Sequence, residues 1–542
     1  MKLKLTKKEI TEKSADFNKI GVLLPSFNID DVQKRTAENP AWLHFGPGNL
    51  FKAYHAVLAQ KIIENGSFDR GVITAVPNDF SSIETLYKPH DNLVLQVVMC
   101  ANGNLEKRVV ASITEVVAAN PADSSQWGRL KTIFAAPSLQ IITLAITEKG
   151  YDLKTIDGSI KDEIIKELDA GISLPKHTML KLTALLYERY RNGAKPLACV
   201  STDNFSHNGD KLKAAVVLAA AEWQKRGFVE KGFIDYLNDV KKVSFPLSMI
   251  DKITPYASQR VADALSDAGI DGMEIVKTPK GSVTASFVNT EEAEYLVVED
   301  AFPNGRPPLE KAGVYFTTRE TVDKVERMKV CTCLNPLHTA LAIFGCLLGY
   351  TSIAQEMSDK DLNALVNKIG YDEGMPVVTD PGIIKPAAFI KEVLTVRFPN
   401  PNIPDTPQRI ATDTSQKLPI RFGETIKLYV NRSDLDINKL VLIPLVLAAW
   451  CRYLLGVDDN GNAFTISPDP LLANLQQALT GVTFGKPQTA EGKLKTILSN
   501  EKIFAVDLYK AGLGTRIENY FAEMLAGTGA VRATLQKYLN SK

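Results

Sequence analysis

The chain has 542 residues, of which 45% are hydrophobic and 23% are charged, and its formal net charge is +1. Because this length exceeds one ordinary hydrophobic core, two or more domains are expected. The near-zero charge gives no electrostatic footprint for nucleic acid. The longest apolar run, residues 440–451, is too short to span a membrane and predicts a buried helix.

The N-terminus is basic but no apolar segment follows it, so we expect no signal peptide. Among the six cysteines only Cys331 and Cys333 are close together, which makes a poor zinc site. Sparse, scattered cysteines are typical of a reducing cytoplasm. We therefore expect a cytoplasmic protein, monomeric or weakly homo-oligomeric, with no nucleic-acid, membrane or metal partner.

Residues 1–37 are polar and are expected to form an arm packed on the first domain. Apolar strands then alternate with helices, which predicts a mostly parallel sheet covered by helices on both faces. We assign 38–320 to this α/β, Rossmann-like nucleotide-binding domain. The predicted strands are 42–45, 72–76, 93–99, 139–145 and 198–201, and the predicted helices are 50–64, 126–134, 178–191 and 208–226.

From about residue 320 the texture of the sequence changes. Apolar residues recur at helical spacing and β-branched alternation fades. These features predict a second, mainly α-helical domain at 321–542.

Gly46 and Gly48 follow the first predicted strand and precede a helix. Glycines at such a turn let backbone approach a pyrophosphate, which the following helix N-terminus favours. Phe51 stands where the usual fingerprint has a third glycine, so a tight structural turn is the competing interpretation. Asp79, after the second strand, is the candidate for a ribose diol or else a turn-forming residue. No arginine follows to pair a 2′-phosphate, which favours NAD over NADP.

Residues 329–338, Lys-Val-Cys-Thr-Cys-Leu-Asn-Pro-Leu-His, place an amine, a carboxamide and an imidazole in one segment. Lys329 can exchange a proton, Asn335 can donate to an oxyanion, and His338 lies one helical turn after Asn335. Such a trio suits metal-free carbonyl–alcohol interconversion. The alternative is a buried helix with a capping Asn and a core His. Glu326, three residues before Lys329, either tunes proton exchange or forms a plain ion pair.

Several segments, in order along the chain, resemble the polyol-specific long-chain dehydrogenases, the mannitol dehydrogenase family. This family includes mannitol 2-dehydrogenase, fructuronate reductase and tagaturonate reductase. The matching segments are the glycine turn 46–55, Thr-Glu-Lys-Gly-Tyr at 147–151, Asp-Asn-Phe at 203–205 with Asn-Gly at 208–209, Phe-Pro at 245–246 with Met-Ile-Asp-Lys-Ile-Thr-Pro at 249–255, Val-Glu-Asp at 298–300 with Gly-Arg-Pro at 305–307, and 409–419.

The resemblance implies a site, with NAD as cofactor and no metal, built by both domains. Its catalytic residues are Lys329 as general acid/base with Asn335, His338, Asn204 and Glu326. Its cofactor-binding residues are Gly46, Gly48, Asn49, Phe51, Asp79, Thr147 and Glu148. Its substrate-binding residues are Asp251, Arg409 and Lys417.

The implied reaction is reduction of D-fructuronate to D-mannonate, with tagaturonate reduction and mannitol–fructose interconversion as rivals. One departure from the family keeps a different class open. Lys329 and Asn335 are six residues apart, one more than is common in the family. Either a π-bulge in the helix absorbs the extra residue or the lysine's role has moved. In the second case a catalytically silent nucleotide-binding sensor becomes the alternative.

Overall fold

The computed structural model describes residues 2–155 and 157–540. The chain folds into two compact units. The first comprises Met1–Cys100 and Asn104–Val322, and the second comprises Ala101–Gly103 and Asp323–Lys542.

The first unit is organised around a parallel sheet of six strands. In spatial order these are Val243–Ser244, Leu197–Ser201, Ile141–Leu144, Trp42–Phe45, Val72–Val76 and Ile113–Ala118. The chain therefore starts in the middle of the sheet, builds outward to one edge and then returns to build the other. This is the doubly wound Rossmann order, and it puts the crevice for a ligand at the carboxyl end of Trp42–Phe45.

Burial explains why these segments are strands. In Trp42–Phe45 the side chains of Leu43 and Phe45 enter one hydrophobic cluster, and Trp42 enters another. Both faces of the sheet are thus covered, which accounts for the continuous apolar runs from which the strands were predicted. Helices of the first unit are Lys7–Glu12, Ser14–Lys19, Ile29–Glu38, Ala56–Glu64, Ser124–Ala135, Asp162–Asp169, Thr178–Arg191, Asn208–Lys225, Lys231–Asn238 and Gln259–Asp267, with π-helical turns at Phe51–His55 and Ile83–Tyr87.

The predicted strand at 93–99 was expected in the parallel sheet, but it lies in a different sheet. Val94–Met99 pairs antiparallel with Leu105–Val110 in a separate sheet of four strands, completed by Phe287–Thr290 and Val22–Leu23. A short connection made this hairpin possible, whereas parallel neighbours need a long crossover. The remaining strands form a three-stranded sheet and two short pairs: Ser248–Asp251, Tyr295–Glu299 and Tyr315–Thr317; Leu3–Lys4 with Ile270–Asp271; and Val276–Lys277 with Val283–Thr284.

The N-terminal segment is more regular than a polar arm. It forms the three helices between Lys7 and Glu38, and its backbone is held to the first unit. The Lys7 N–H donates to Asp91 Oδ2 over 2.9 Å, and Leu3 pairs with Ile270.

The second unit is helical. Its α-helices are Asn335–Leu348, Ile353–Ser358, Lys360–Lys368, Pro386–Glu392, Pro407–Ile410, Thr414–Leu418, Glu424–Asn431, Leu442–Tyr453, Leu472–Ala478, Lys495–Leu498, Glu501–Phe504, Gly514–Met524 and Ala530–Leu539. Its π-helical turns are Lys329–Cys333, Ile369–Gly374, Val393–Arg397 and Pro419–Gly423. Leu442–Tyr453 is buried along its whole length, as the apolar run predicted.

Helix Arg319–Met328 continues through the Lys329–Cys333 turn into Asn335–Leu348. Within the described residues, this run is long and apolar enough to cross a membrane by length and composition, and 83% of its most apolar window is buried in the folded chain.

Candidate functional site

The glycine turn leaves the carboxyl end of Trp42–Phe45. Gly46 has φ +96°, and a Cβ there would lie 2.2 Å from the Ala145 carbonyl oxygen, so this position requires glycine. A Cβ on Gly48 would meet no atom within 4 Å. The turn therefore presents open backbone in front of the helical segment that begins at Phe51, and this arrangement fits a pyrophosphate.

A buried histidine supports the turn from below. Trp42 Nε1 donates to Thr143 Oγ1 over 2.7 Å, and this hydroxyl lies 2.7 Å from His44 Nδ1. His44 Nε2 in turn lies 3.2 Å from the Gly46 carbonyl. Burial lowers the pKa of His44 well below its ordinary value, so the ring is neutral and donates from Nε2 to Gly46. Phe51 stacks on His44 with 4.3 Å between ring centroids.

Phe51 is fully buried, so its side chain stabilises the turn from within the core and does not line a cofactor surface. Asn49 is also committed to the protein, because its Nδ2 donates to the Pro255 carbonyl over 2.8 Å. That bond joins the glycine turn to the 249–255 segment.

Asp79 follows the strand next to Trp42–Phe45, where a ribose ligand is expected. Its Oδ1 accepts from Ser81 Oγ over 2.6 Å, which is the local bonding of a turn residue. Burial raises the pKa of Asp79, but the hydrogen bond from Ser81 and the charge of Lys280 outweigh it, so the pKa is lowered. The carboxylate is charged and half-buried, and both interpretations from the sequence remain compatible with it.

Asp203 joins two of the recognised motifs. Its carboxylate accepts the backbone N–H groups of Ile146 and Thr147, each over 2.9 Å, and the Tyr151 hydroxyl over 2.6 Å. Thr147 has φ +67°, a strained conformation for threonine that these bonds maintain. Asp203 thereby fixes the loop 147–151 against the end of strand Leu197–Ser201.

Asn204 follows this anchor and is exposed, whereas Asn208 is buried. Asn208 Nδ2 donates to the carbonyl of Asp203 and to Ser248, and its Oδ1 accepts the Ser248 N–H. The motif thus separates a structural asparagine, Asn208, from one whose side chain is open to a ligand, Asn204.

The two other predicted residues of this unit differ in burial. The Glu148 side chain is exposed and lies 3.1 Å from Lys211 Nζ. Asp251 is buried at the end of strand Ser248–Asp251.

In the second unit, the π-bulge that was one of the two alternatives is present as the π-helical turn Lys329–Cys333. The Leu334 N–H donates to the Lys329 carbonyl over 3.1 Å, which closes the turn and absorbs the additional residue before Asn335. Lys329 is only 4% exposed. Glu326 lies on the helix just before it and is half-buried.

Asn335 begins the next helix, and its half-buried carboxamide makes no side-chain hydrogen bond within the part of the chain that the structure describes. His338 lies one turn further on, with Nε2 2.9 Å from Asp405 Oδ2 and its ring 5.0 Å from that of Phe398. Burial lowers the pKa of His338, and Asp405 offsets part of that effect. The carboxamide is therefore available, and the imidazole faces the Asp405 carboxylate.

The two predicted substrate-binding cations are both bonded within the protein. Arg409 donates from Nε and Nη2 to Asp405 Oδ1 over 3.1 and 2.5 Å. Lys417 Nζ donates to the carbonyls of Ile410 and Thr412. Burial lowers the pKa of Lys417 to about 8. The structure brings Lys329, Asn335, His338, Arg409 and Lys417 into one unit, built around the helix Asn335–Leu348.

Three residues of this geometry were not singled out from the sequence: Asp203, Asp405 and Arg421. Asp203 lay inside a recognised motif, and Arg421 follows Lys417 at i+4, so spacing was an available signal for both. Asp405 carries no such signal, because its partner His338 is distant in sequence.

Comparison with known proteins gives the following matches. Residues 40–311 match the mannitol dehydrogenase Rossmann domain, and residues 321–525 match the mannitol dehydrogenase C-terminal domain. The chain is 50% identical to D-mannonate oxidoreductase of Thermotoga maritima over 537 residues, 99% of each chain. It is 28% identical to D-mannonate oxidoreductase of Escherichia coli over 494 residues, 90% of this chain and 92% of that protein.

A solved structure is similar over the whole length. Pseudomonas fluorescens mannitol 2-dehydrogenase, in ternary complex with NAD and D-mannitol, aligns with a TM-score of 0.70 and 26% identity over 99% of this chain and 100% of that one.

Proposed function

Because this chain belongs to the mannitol dehydrogenase family of oxidoreductases, we propose that it is a cytoplasmic NAD-dependent enzyme that reduces D-fructuronate to D-mannonate. The 50% identity with a D-mannonate oxidoreductase over 99% of both chains supports this choice of substrate. The reduction adds a hydride to the carbonyl carbon and a proton to its oxygen, so the enzyme must bind a nicotinamide cofactor and deliver a proton.

The cofactor is held by the glycine turn of the first unit. Gly46 and Gly48 present backbone to the pyrophosphate, and Asp79 accepts from the adenosine ribose. Thr147 and Glu148 lie at the carboxyl end of the neighbouring strand Ile141–Leu144, where the cofactor passes. NADH, when bound, supplies the hydride.

The observation that carries the proposal is the buried Lys329 on a π-helical turn that leads directly into the helix of Asn335 and His338. Lys329 gives its proton to the oxygen that becomes the new hydroxyl, and it takes that proton back in the reverse direction. Glu326, on the preceding helix, exchanges protons with Lys329. No metal is required, because hydrogen-bond donors on the protein's own side chains polarise the carbonyl.

Asn335 and Asn204 donate hydrogen bonds to the substrate oxygen. Their carboxamides are available for this role. The neighbouring Asn208 is not, because its Nδ2 already donates to the Asp203 carbonyl and to Ser248 Oγ. Donors aimed at a developing oxyanion lower the barrier, and losing one costs on the order of 10²-fold in rate. His338, held by Asp405, orients the same oxygen. Asp251, Arg409 and Lys417 bind the other polar groups of the sugar.

The test is NADH oxidation, followed by absorbance, with D-fructuronate, D-tagaturonate and D-fructose in parallel, repeated with NADPH and after treatment with a metal chelator. The proposal expects D-fructuronate to be the preferred substrate, NADH the preferred cofactor, and no loss of activity with chelator. Preference for D-tagaturonate would move the chain to that activity. Inactivity on all three, with NADH still bound, would favour a nucleotide sensor.

Mannitol–fructose interconversion is the second candidate. It is supported by the structural similarity to mannitol 2-dehydrogenase, which extends over 99% of this chain. A higher kcat/KM for D-fructose than for either uronate would favour it.

A further inference from the structure

Arg421 is a half-buried cation that has no acidic partner among the described residues. It lies in the π-helical turn Pro419–Gly423, and burial lowers its pKa to about 10. Its Nη1 donates to Thr339 Oγ1 over 2.6 Å. Within residues 2–155 and 157–540, no carboxylate forms an ion pair with this guanidinium, and the rest of its donor edge is left unused.

A second cation is its neighbour. Lys417 precedes Arg421 by four residues, and the Arg421 charge contributes to lowering the pKa of Lys417. Lys417 Nζ is oriented by the carbonyls of Ile410 and Thr412, which are neutral acceptors. Asp413 and, more weakly, Asp469 act on Lys417 through their charge, but no ion pair joins either of them to Lys417 within the described residues. Asp469 accepts instead from the Ser415 N–H and hydroxyl over 2.8 and 2.5 Å. Both cations are therefore charged near neutral pH, and neither forms an ion pair with a carboxylate within the described part of the chain.

Arg409 does not change the net charge around Arg421 and Lys417. Its guanidinium is matched by Asp405, which also faces His338. The positive charge of Arg421 and Lys417 is thus in excess over the acidic groups bonded to them. Both side chains are half-buried. Withdrawing unpaired charge from water is costly, so a protein retains it where a ligand supplies the opposite charge.

The position of Arg421 relates it to the proposed chemistry. Thr339, which accepts from Arg421, donates to the carbonyl of Asn335 over 3.0 Å. The guanidinium is therefore attached to the first turns of the helix that carries Asn335 and His338. The turn that contains Arg421 also packs against the Lys329–Cys333 turn.

We propose that Arg421, with Lys417, is the subsite for the carboxylate of a hexuronate substrate, a step that rests on the proposed function. A planar guanidinium with a free donor edge matches a carboxylate through two parallel hydrogen bonds. Lys417 adds a second charge to the same group. A sugar with a hydroxymethyl group in place of the carboxylate leaves both cations uncompensated, so Arg421 sets the preference for uronates over neutral ketoses.

The test compares D-fructuronate with D-fructose, which differ in having a carboxylate or a hydroxymethyl group at C6. Arg421→Met should lower kcat/KM for D-fructuronate on the order of 10²-fold, mainly through KM, and change that for D-fructose by no more than a few fold. Arg421→Lys should restore part of the loss. Arg432→Met is the matched control, because Arg432 is an exposed arginine of the same unit that pairs with Asp434.

Binding of D-mannonate and D-mannitol, measured by calorimetry on the NAD-loaded enzyme, separates this inference from the proposed function. An enzyme that reduces D-fructuronate and is equally impaired toward both sugars by Arg421→Met would overturn the subsite and leave the function standing. An enzyme that reduces only D-fructose, yet binds D-mannonate through Arg421, would overturn the function and support the subsite. If Arg421→Met does not fold, unchanged sugar preference in Arg421→Lys overturns the inference.

Discussion

Asp405 Oδ2 lies 2.9 Å from Nε2 of His338, and the same carboxylate accepts two hydrogen bonds from Arg409. His338 is therefore not a free imidazole but one with a fixed orientation. Its Nε2 faces Asp405, which leaves Nδ1 as the ring atom for other contacts. Asp405 is a positioning residue whose influence passes through His338.

Replacement of Asp405 tests that relationship. Burial lowers the pKa of His338 and Asp405 opposes it, so Asp405→Asn should lower this pKa further. We expect kcat to fall about 10-fold or more as the ring loses its orientation. The pKa of His338, followed by NMR titration, distinguishes positioning from a structural defect. Reduced activity with an unchanged pKa of His338 would contradict the positioning role of Asp405. Asp405→Glu should recover part of the lost kcat.

The glycine turn offers a matched pair of variants. Gly46→Ala places a Cβ 2.2 Å from the Ala145 carbonyl at φ +96°, so it should destabilise the fold by more than about 2 kcal/mol. Gly48→Ala meets no protein atom, so it should leave thermal stability unchanged but weaken NADH binding at least 10-fold. Thermal unfolding and NADH fluorescence titration measure the two effects. Normal NADH affinity in Gly48→Ala would show that the pyrophosphate does not lie there.

Glu356 should make stability depend on pH. It is fully buried, neither carboxyl oxygen has a hydrogen-bond partner among the described residues, and burial raises its pKa from 4.5 to about 9. The folded state therefore holds its proton while the unfolded state releases it. The contribution of Glu356 to the free energy of unfolding is therefore fully present below pH 4.5, and it is lost as the pH rises toward 9.

Glu356→Gln should accordingly gain roughly 2–3 kcal/mol relative to wild type at pH 7, and little at pH 4.5. Urea unfolding at the two pH values measures the difference. Glu373→Gln is the contrasting variant. Glu373 accepts hydrogen bonds from the backbone N–H groups of Val441, Leu442 and Ile443 at a helix N-terminus. Its replacement should therefore destabilise the folded protein. A Glu356→Gln effect that is independent of pH would contradict the assignment.

Lys417 predicts a pH dependence of substrate binding. Burial lowers its pKa to about 8, so above that pH it loses its proton and its charge. KM for D-fructuronate should rise as the pH passes about 8, whereas KM for D-fructose should not follow it. Steady-state kinetics between pH 6.5 and about 9.5 would show this rise in KM, and Lys417→Met should abolish the pH dependence. Parallel curves for the two sugars would rule out a carboxylate contact.

The sequence anticipated features that depend on local pattern. Trp42–Phe45, Val72–Val76 and Thr178–Arg191 were predicted with the bounds they have, because each is an uninterrupted apolar or helical run. The Lys329–Asn335 spacing, compared with that of the resembled family, gave a π-bulge as one of two alternatives, and the turn Lys329–Cys333 is that bulge. The strand Ile113–Ala118 was missed, since Thr114 and Glu115 interrupt its apolar pattern.

Features that depend on distant partners were not accessible in this way. Arg421 meets Thr339 across 82 residues, and Asp203 meets Ile146 across 57. The pairing of Val94–Met99 with Leu105–Val110 depends on a chain reversal that periodicity does not encode. The motifs therefore named the residues that lie near the chemistry, while the residues that position them emerged only from the fold.

The catalytic role of Lys329 is tested most directly by turnover of D-fructuronate with NADH in Lys329→Ala. The matched control is Lys427→Ala, because Lys427 is a partly exposed lysine of the same unit that pairs with Glu424. We predict that Lys329→Ala retains NADH affinity and thermal stability but loses on the order of 10²–10⁴-fold in kcat, because no other group delivers the proton. Turnover by Lys329→Ala within a few fold of wild type would show that Lys329 is not the general acid/base.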